Sequence, residues 1–119
     1  MDLLLNRPDN FSILTGEDIL YYCTMSLGGD GGILASAHIA TEKFVEIYRF
    51  FRQNDYQSAL RLWSQVSTFI PDLFAEPNPA PLKYLLAMQK LIDSDEVRLP
   101  LVGISDGLKE KLGRNFVSA

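Results

Sequence analysis

The chain has 119 residues, 47% of them hydrophobic and 22% charged, with a formal net charge of -4. That balance supplies apolar material for one ordinary core and lies outside the range of disordered chains. The excess of acid and the scattering of Arg49, Arg52, Arg61, Lys83, Lys90 and Arg98 leave no basic stripe to neutralise phosphates, which argues against nucleic acid as a partner.

Met1 to Leu5 is a short apolar stretch, and Asn6-Arg7-Pro8-Asp9-Asn10 is dense in residues that end helices and make turns, so the start reads as a helix tail running into a loop. Nothing basic-then-apolar follows Met1, and no apolar run approaches the roughly 18 residues needed to span a bilayer. Phe11 to Leu14 is the first predicted strand, Thr15-Gly16 its turn, and Glu17 and Asp18 fall in the first turn of a helix predicted to run through Leu27, where acidic residues complement the macrodipole. Cys23 lies in that helix and is the only cysteine, which rules out an internal disulfide, points to buried packing in an apolar helix and fits a reducing, cytoplasmic setting. Gly28-Gly29-Asp30-Gly31 ends the helix and leads into a second predicted strand, Gly32 to Ala35.

Both strands are short, apolar and followed by a polar or glycine turn, the pattern of parallel strands buried on two faces. Two such strands cannot cover their own edges, so the pair is expected to be the end of a larger sheet. After Ser36-Ala37-His38 the period changes to 3.6. Phe44, Ile47, Tyr48 and Phe51 share one face of an amphipathic helix, which Asn54-Asp55 breaks. Tyr56, Ala59, Leu60, Trp63, Val66, Ile70, Leu73 and Phe74 form a long apolar stripe predicted to bend at Pro71. Glu76-Pro77-Asn78-Pro79-Ala80-Pro81 makes a rigid corner, because its prolines remove donors and push the residues before them to extended backbone. Leu82, Leu85, Leu86 and Gln89 restart a helix ending near Ile92, an extended segment covers Val97 to Ile104, and Ser105 with Asp106 cap a last helix holding Leu108 and Leu112.

The glycine run at 28–32 precedes its strand and lacks a Gly-Lys-Ser/Thr tail, so it reads as a turn rather than a phosphate loop. Thr15-Gly16-Glu17-Asp18 is better placed, after a strand and at a helix start, where free N–H groups face a ligand or simply receive side-chain caps; the local sequence leaves both readings open. His38 is the only histidine and has no ligand cluster around it, so no metal site is expected. His38 and Ser36 sit just past the second strand, in the region where a barrel enzyme keeps its site. Lys43, Lys83, Lys90, Lys109 and Lys111 read as exposed helix positions, poor nucleophiles at their ordinary pKa, and no complete catalytic set is present.

Four runs then carry a resemblance: Phe11-Ser12-Ile13-Leu14-Thr15-Gly16-Glu17-Asp18; Leu27-Gly28-Gly29-Asp30-Gly31-Gly32-Ile33; Phe74-Ala75-Glu76-Pro77-Asn78-Pro79-Ala80-Pro81-Leu82-Lys83; and Val97-Arg98-Leu99-Pro100-Leu101. In order and spacing, along essentially the whole chain, they resemble the C-terminal part of the dihydrodipicolinate synthase and N-acetylneuraminate lyase family. The resemblance implies an α/β, mostly α, chain: residues 1–53 as the last two βα units, strands seven and eight, of a (β/α)8 TIM barrel, and residues 54–119 as a C-terminal helical domain. It implies a pyruvate-dependent class I aldolase-type lyase, best matched by the synthases that join pyruvate to aspartate semialdehyde in lysine biosynthesis, working without a cofactor. The Schiff-base lysine of such enzymes ends the sixth strand, upstream of Phe11, so this chain alone is expected to be inactive.

By match to the family pattern, the substrate rim is Gly16, where backbone approaches substrate, Glu17 and Asp18, where members vary their contacts to the aldehyde, Ile33, whose carbonyl faces the Schiff-base lysine, and Ser36. Leu34-Ala35-Ser36 and His38 depart from the more polar residues and the asparagine common there, which leaves the small aldehyde partner open. Family members form oligomers, so a homo-oligomer is expected. The alternatives are a non-catalytic oligomerisation module and part of a sugar-acid aldolase of the same family.

Overall fold

The computed structural model describes residues 1–117, and it divides into two compact units, Met1–Ser67 and Thr68–Ala119. The first begins with a single helical turn, α1 (Asp2–Leu5), followed by the turn-rich loop expected there. Strand β1 (Leu14–Thr15) and strand β2 (Gly31–Gly32) pair in parallel with Leu14 opposite Gly31, and the ladder continues outward as Asp30 N–H donates to the Ile13 carbonyl and Ile33 N–H to that of Thr15, both at 2.9 Å. The paired segments are therefore shorter than Phe11–Leu14 and Gly32–Ala35, the first ending one residue later and the second starting one residue earlier than expected, because register is set by the ladder partners and not by where the apolar residues cluster.

Between the strands, the expected continuous helix is a 3-10 turn, Asp18–Leu20, leading into α2 (Tyr21–Ser26), which buries Tyr21 and Met25 and leaves Cys23 exposed, contrary to the expected buried packing. Gly28 ends it at φ +85°, with Gly29 N–H bonded back to the Thr24 carbonyl at 2.8 Å. A Cβ on Gly29 would lie 2.8 Å from that same oxygen, so only glycine permits this closure. A second 3-10 turn, Ser36–His38, precedes α3 (Thr41–Arg52), which buries Phe44, Ile47 and Phe51. Asn54 takes φ 59°, Asp55 N–H reaches back to the Phe50 carbonyl, and the Asp55 carboxylate then accepts Ser58 N–H at 3.1 Å to start α4 (Tyr56–Val66). One dipeptide thus ends one helix and caps the next, which is why α3 and α4 fold back on each other as a hairpin.

The core of this unit is aromatic. Tyr21 and Tyr22 from α2, Phe44 and Phe51 from α3 and Trp63 from α4 meet at centroid separations of 5.0–6.4 Å in tilted, stacked and edge-on arrangements. Each ring removes apolar surface from water, and the offset geometries add roughly 0.5–1.5 kcal/mol per pair.

In the second unit, Pro71 lies in the first turn of a separate short helix, α5 (Ile70–Leu73), and does not bend a longer one. At that position its missing N–H would have had no intrahelical partner, so the predicted kink has no cause. The proline corner leads to α6 (Ala80–Met88), which begins two residues ahead of Leu82 and carries Pro81 in its first turn; the Asn78–Pro79 and Leu99–Pro100 bonds are cis. The last helix is α7 (Asp106–Val117), packed on α6 through buried Leu82, Leu85, Leu108 and Leu112. Glu76 explains the acidic residue of the corner: its carboxylate accepts from Ser105 N–H at 3.0 Å and from the Ser105 hydroxyl, while Ser105 Oγ accepts Leu108 N–H at 3.3 Å. The corner therefore braces the N-cap of α7. Asp72, nearly buried, accepts from Asn115 at 2.9 Å and pairs with Lys111 at 2.5 Å, tying α5 to α7.

Candidate functional site

The C-terminal ends of β1 and β2 bring two turns side by side, one at Gly16–Asp18 and one at Ile33–His38, and all five rim residues named from the sequence lie on them. Their environments differ sharply. Gly16 has open space where a Cβ would stand, and Glu17 is exposed; its N–H is received by Thr15 Oγ1 at 3.1 Å. Ile33, 79% exposed, is the most open large apolar residue of the first unit.

Asp18 is 1% exposed and Ser36 0%. The Asp18 carboxylate accepts Ala35 N–H at 3.2 Å on Oδ1, and Ser36 N–H at 2.6 Å together with the Ser36 hydroxyl on Oδ2. Asp18 thus receives the free N–H groups at the start of the 3-10 turn following β2, a cap supplied by the neighbouring βα unit. Side-chain capping is the local alternative at this turn; the Thr15 hydroxyl accepts only Glu17 N–H just ahead of the 3-10 turn, and Asp18 serves the turn that follows β2. Nothing in the sequence marks the pair, because the two residues are 18 positions apart and meet only when β1 and β2 align.

His38 belongs to the same turn, with Nδ1 3.1 Å from the Ala35 carbonyl oxygen, and is exposed. The Ala35 peptide is consequently held from both ends. At the opposite end of the sheet Asp30 accepts Ile13 N–H at 2.8 Å and pairs with Arg7 at 2.5 Å, and the Ile13 bond foremost, with the Arg7 guanidinium, holds its carboxyl below the usual carboxylate range. Beside the strands an apolar hollow of about 320 Å³ is lined by Leu14, Tyr21, Gly32, Leu34, Phe44 and Tyr48. Tyr21 is buried there with its hydroxyl donating to the Phe44 carbonyl at 3.3 Å, and burial, with a smaller contribution from Tyr48, pushes its phenol up to about 12.

No lysine stands on either strand: Lys43, Lys83, Lys109 and Lys111 are on helices and Lys90 follows one. Lys83 Nζ donates to the Glu96 carbonyl, and Lys111 is engaged by Asp72. Among the described residues no group of His, Cys, Asp and Glu could hold a metal ion, and no helix is long and apolar enough to cross a membrane.

A model of the dihydrodipicolinate synthetase family matches residues 1–118. The 4-hydroxy-tetrahydrodipicolinate synthase 2 of Clostridium acetobutylicum is 63% identical over 113 residues, covering 95% of this chain and 40% of that one. Among solved structures, a dihydrodipicolinate synthase of Bacillus anthracis superimposes with a TM-score of 0.89 over 99% of this chain and 40% of its own; at 24% identity it speaks for the fold alone. The chloride-inhibited dihydrodipicolinate synthase of Acinetobacter baumannii, complexed with pyruvate, is 32% identical with a TM-score of 0.82 over 91% of this chain and 36% of its own. The chain spans about two fifths of the length of the relatives it matches.

Proposed function

The chain belongs to the dihydrodipicolinate synthetase family, and from that premise we propose that it supplies the last two βα units and the C-terminal helical domain, residues 1–53 and 54–119, of a pyruvate-dependent class I aldolase-type lyase. The reaction it serves is the joining of pyruvate to aspartate semialdehyde by 4-hydroxy-tetrahydrodipicolinate synthase. The observation that carries this is the family match along residues 1–118 together with a parallel strand pair whose C-terminal turns hold every rim residue of the pattern.

In this reading β1 and β2 are strands seven and eight of the barrel. Ligands of such barrels bind at the C-terminal ends of the strands, where Gly16, Glu17 and the Ile33 main chain are open to contact. A neutral lysine amine must attack the pyruvate keto carbon, and no lysine of this chain stands at that end of the sheet, so the chain alone forms no Schiff base. Phe11, Leu14 and Ile33, all exposed around a two-stranded sheet with open edges, support association with further strands and a homo-oligomeric assembly.

The test is a chimera in which this chain replaces the matching segment of the C. acetobutylicum synthase. The reading expects condensation of pyruvate with aspartate semialdehyde by the chimera, and a borohydride-trapped pyruvate adduct on the chimera but not on the 119-residue chain. An adduct on the chain alone, or a folded chimera that turns over neither this aldehyde nor pyruvate, would overturn it.

A further inference from the structure

We propose that Asp18 is a positioning residue: it does not touch substrate, and it sets the spacing of the two rim turns by clamping Ala35 and Ser36, so that the aldehyde contacts fall to Glu17 and the second turn. The inference rests on the lyase reading for its catalytic consequence and on the hydrogen bonds alone for the clamp itself.

The strand ladder cannot do this job. Its last bond is Ile33 N–H to the Thr15 carbonyl, after which the two chains separate, one into Gly16 and the other through Leu34. Beyond that point, the Asp18 carboxylate bridges the turns with three donors from Ala35 and Ser36, at 1% and 0% exposure for the two side chains it joins. A buried carboxylate whose two oxygens already receive three donors has little capacity left for a ligand. Glu17, one residue earlier, is exposed and makes no side-chain bond to the second turn, leaving it the acidic side chain open to solvent on this rim. His38, whose Nδ1 faces the Ala35 carbonyl, is carried by the clamped turn. The consequence is a division of labour between adjacent acids: Glu17 meets the partner molecule, and Asp18 holds the second turn where that molecule is met.

Two substitutions separate this from a general structural role. Asp18→Asn keeps the shape and replaces one acceptor oxygen by an amide donor, facing donors at Ala35 and Ser36. Ser36→Ala removes one of the three bonds and keeps both backbone ones. On the 119-residue chain, amide hydrogen exchange should quicken about tenfold or more at Ala35 and Ser36 in Asp18→Asn, while the Asp30 and Ile33 amides of the ladder keep their wild-type protection. Ser36→Ala should give a smaller change at the same amides. In the chimera, Asp18→Asn should raise the KM for aspartate semialdehyde about tenfold with the pyruvate KM within about twofold of wild type. Ser36→Thr, which retains the hydroxyl, should restore more of the aldehyde KM than Ser36→Ala.

Unchanged exchange at Ala35 and Ser36 would refute the clamp. Uniformly faster exchange, or equal losses for pyruvate and aldehyde, would refute a positioning role and leave Asp18 a structural residue. An inactive wild-type chimera refutes the lyase reading and with it the catalytic division, and exchange in the chain still decides the clamp.

Discussion

Replacing Tyr21 by Phe should weaken the first unit at neutral pH and strengthen it, relative to wild type, in alkali. The hydroxyl is buried and donates to the Phe44 carbonyl at 3.3 Å. Losing a neutral hydrogen bond at that length costs about 1 kcal/mol, while the Phe44 carbonyl, inside α3, keeps its intrahelical bond. The ring remains, packed 5.3 Å from Phe44 and 6.3 Å from Trp63, so the aromatic core survives the change. Alkali acts in the other direction. Burial raises the phenol from 10.0 to about 12, so between these values the unfolded chain ionises while the folded chain stays neutral. The contribution is fully present below pH 10 and is lost as pH rises through the folded value, a loss of about 2–3 kcal/mol when complete. By about pH 11 half of that loss has accrued, enough to offset the 1 kcal/mol hydrogen bond, and the two stability curves should cross there. Trp63, the only tryptophan, lies in the same cluster, so its fluorescence in urea titrations at successive pH values reads the unit directly. If wild type keeps the same margin over Tyr21→Phe at every pH, the phenol is not held neutral by burial and the reasoning fails.

Asp30 gives the acid counterpart. Its folded value is depressed below 3.8, chiefly by Ile13 N–H, so its contribution is present above that value and is lost as pH falls through the folded one. The urea midpoints of wild type and Asp30→Asn should differ at neutral pH and converge in acid; a constant gap would show that the carboxylate charge is not what stabilises the strand entry. Ile47→Ala empties a site with no solvent exposure in α3 and should cost about 2–5 kcal/mol by the same fluorescence assay. Glu76→Ala removes the brace on Ser105 and should quicken exchange at the first amides of α7, Leu108 among them, with a cost of about 0.5–2 kcal/mol; unchanged exchange there would mean that Ser105 caps unaided.

Periodicity and turn chemistry alone located α3 and the break after it: the apolar face of Phe44, Ile47 and Phe51 and the Asn54-Asp55 stop are local signals with local causes, and the structure follows them, although Tyr48 on the same predicted face is exposed. The glycine closure at 28–29 was legible for the same reason. The proposed rim residues rest on resemblance alone, because a substrate edge has no period of its own. The role of Pro71 is not legible in the sequence because an apolar stripe does not say where one helix stops, and a proline that breaks a helix interior is harmless in a first turn.

What sequence could not reach is whatever depends on two strands being aligned. The shift of the paired residues to Leu14–Thr15 and Gly31–Gly32 comes from register. The same alignment turns Asp18 away from solvent and onto Ser36, although Glu17 beside it looks no different in the sequence. Local composition determined the elements and their ends, since capping and amphipathicity are settled within a few residues. Which of two neighbouring carboxylates is buried and which is open was decided by tertiary structure, because the donors that make burial of one tolerable arrive from a separate βα unit, 17 and 18 residues away.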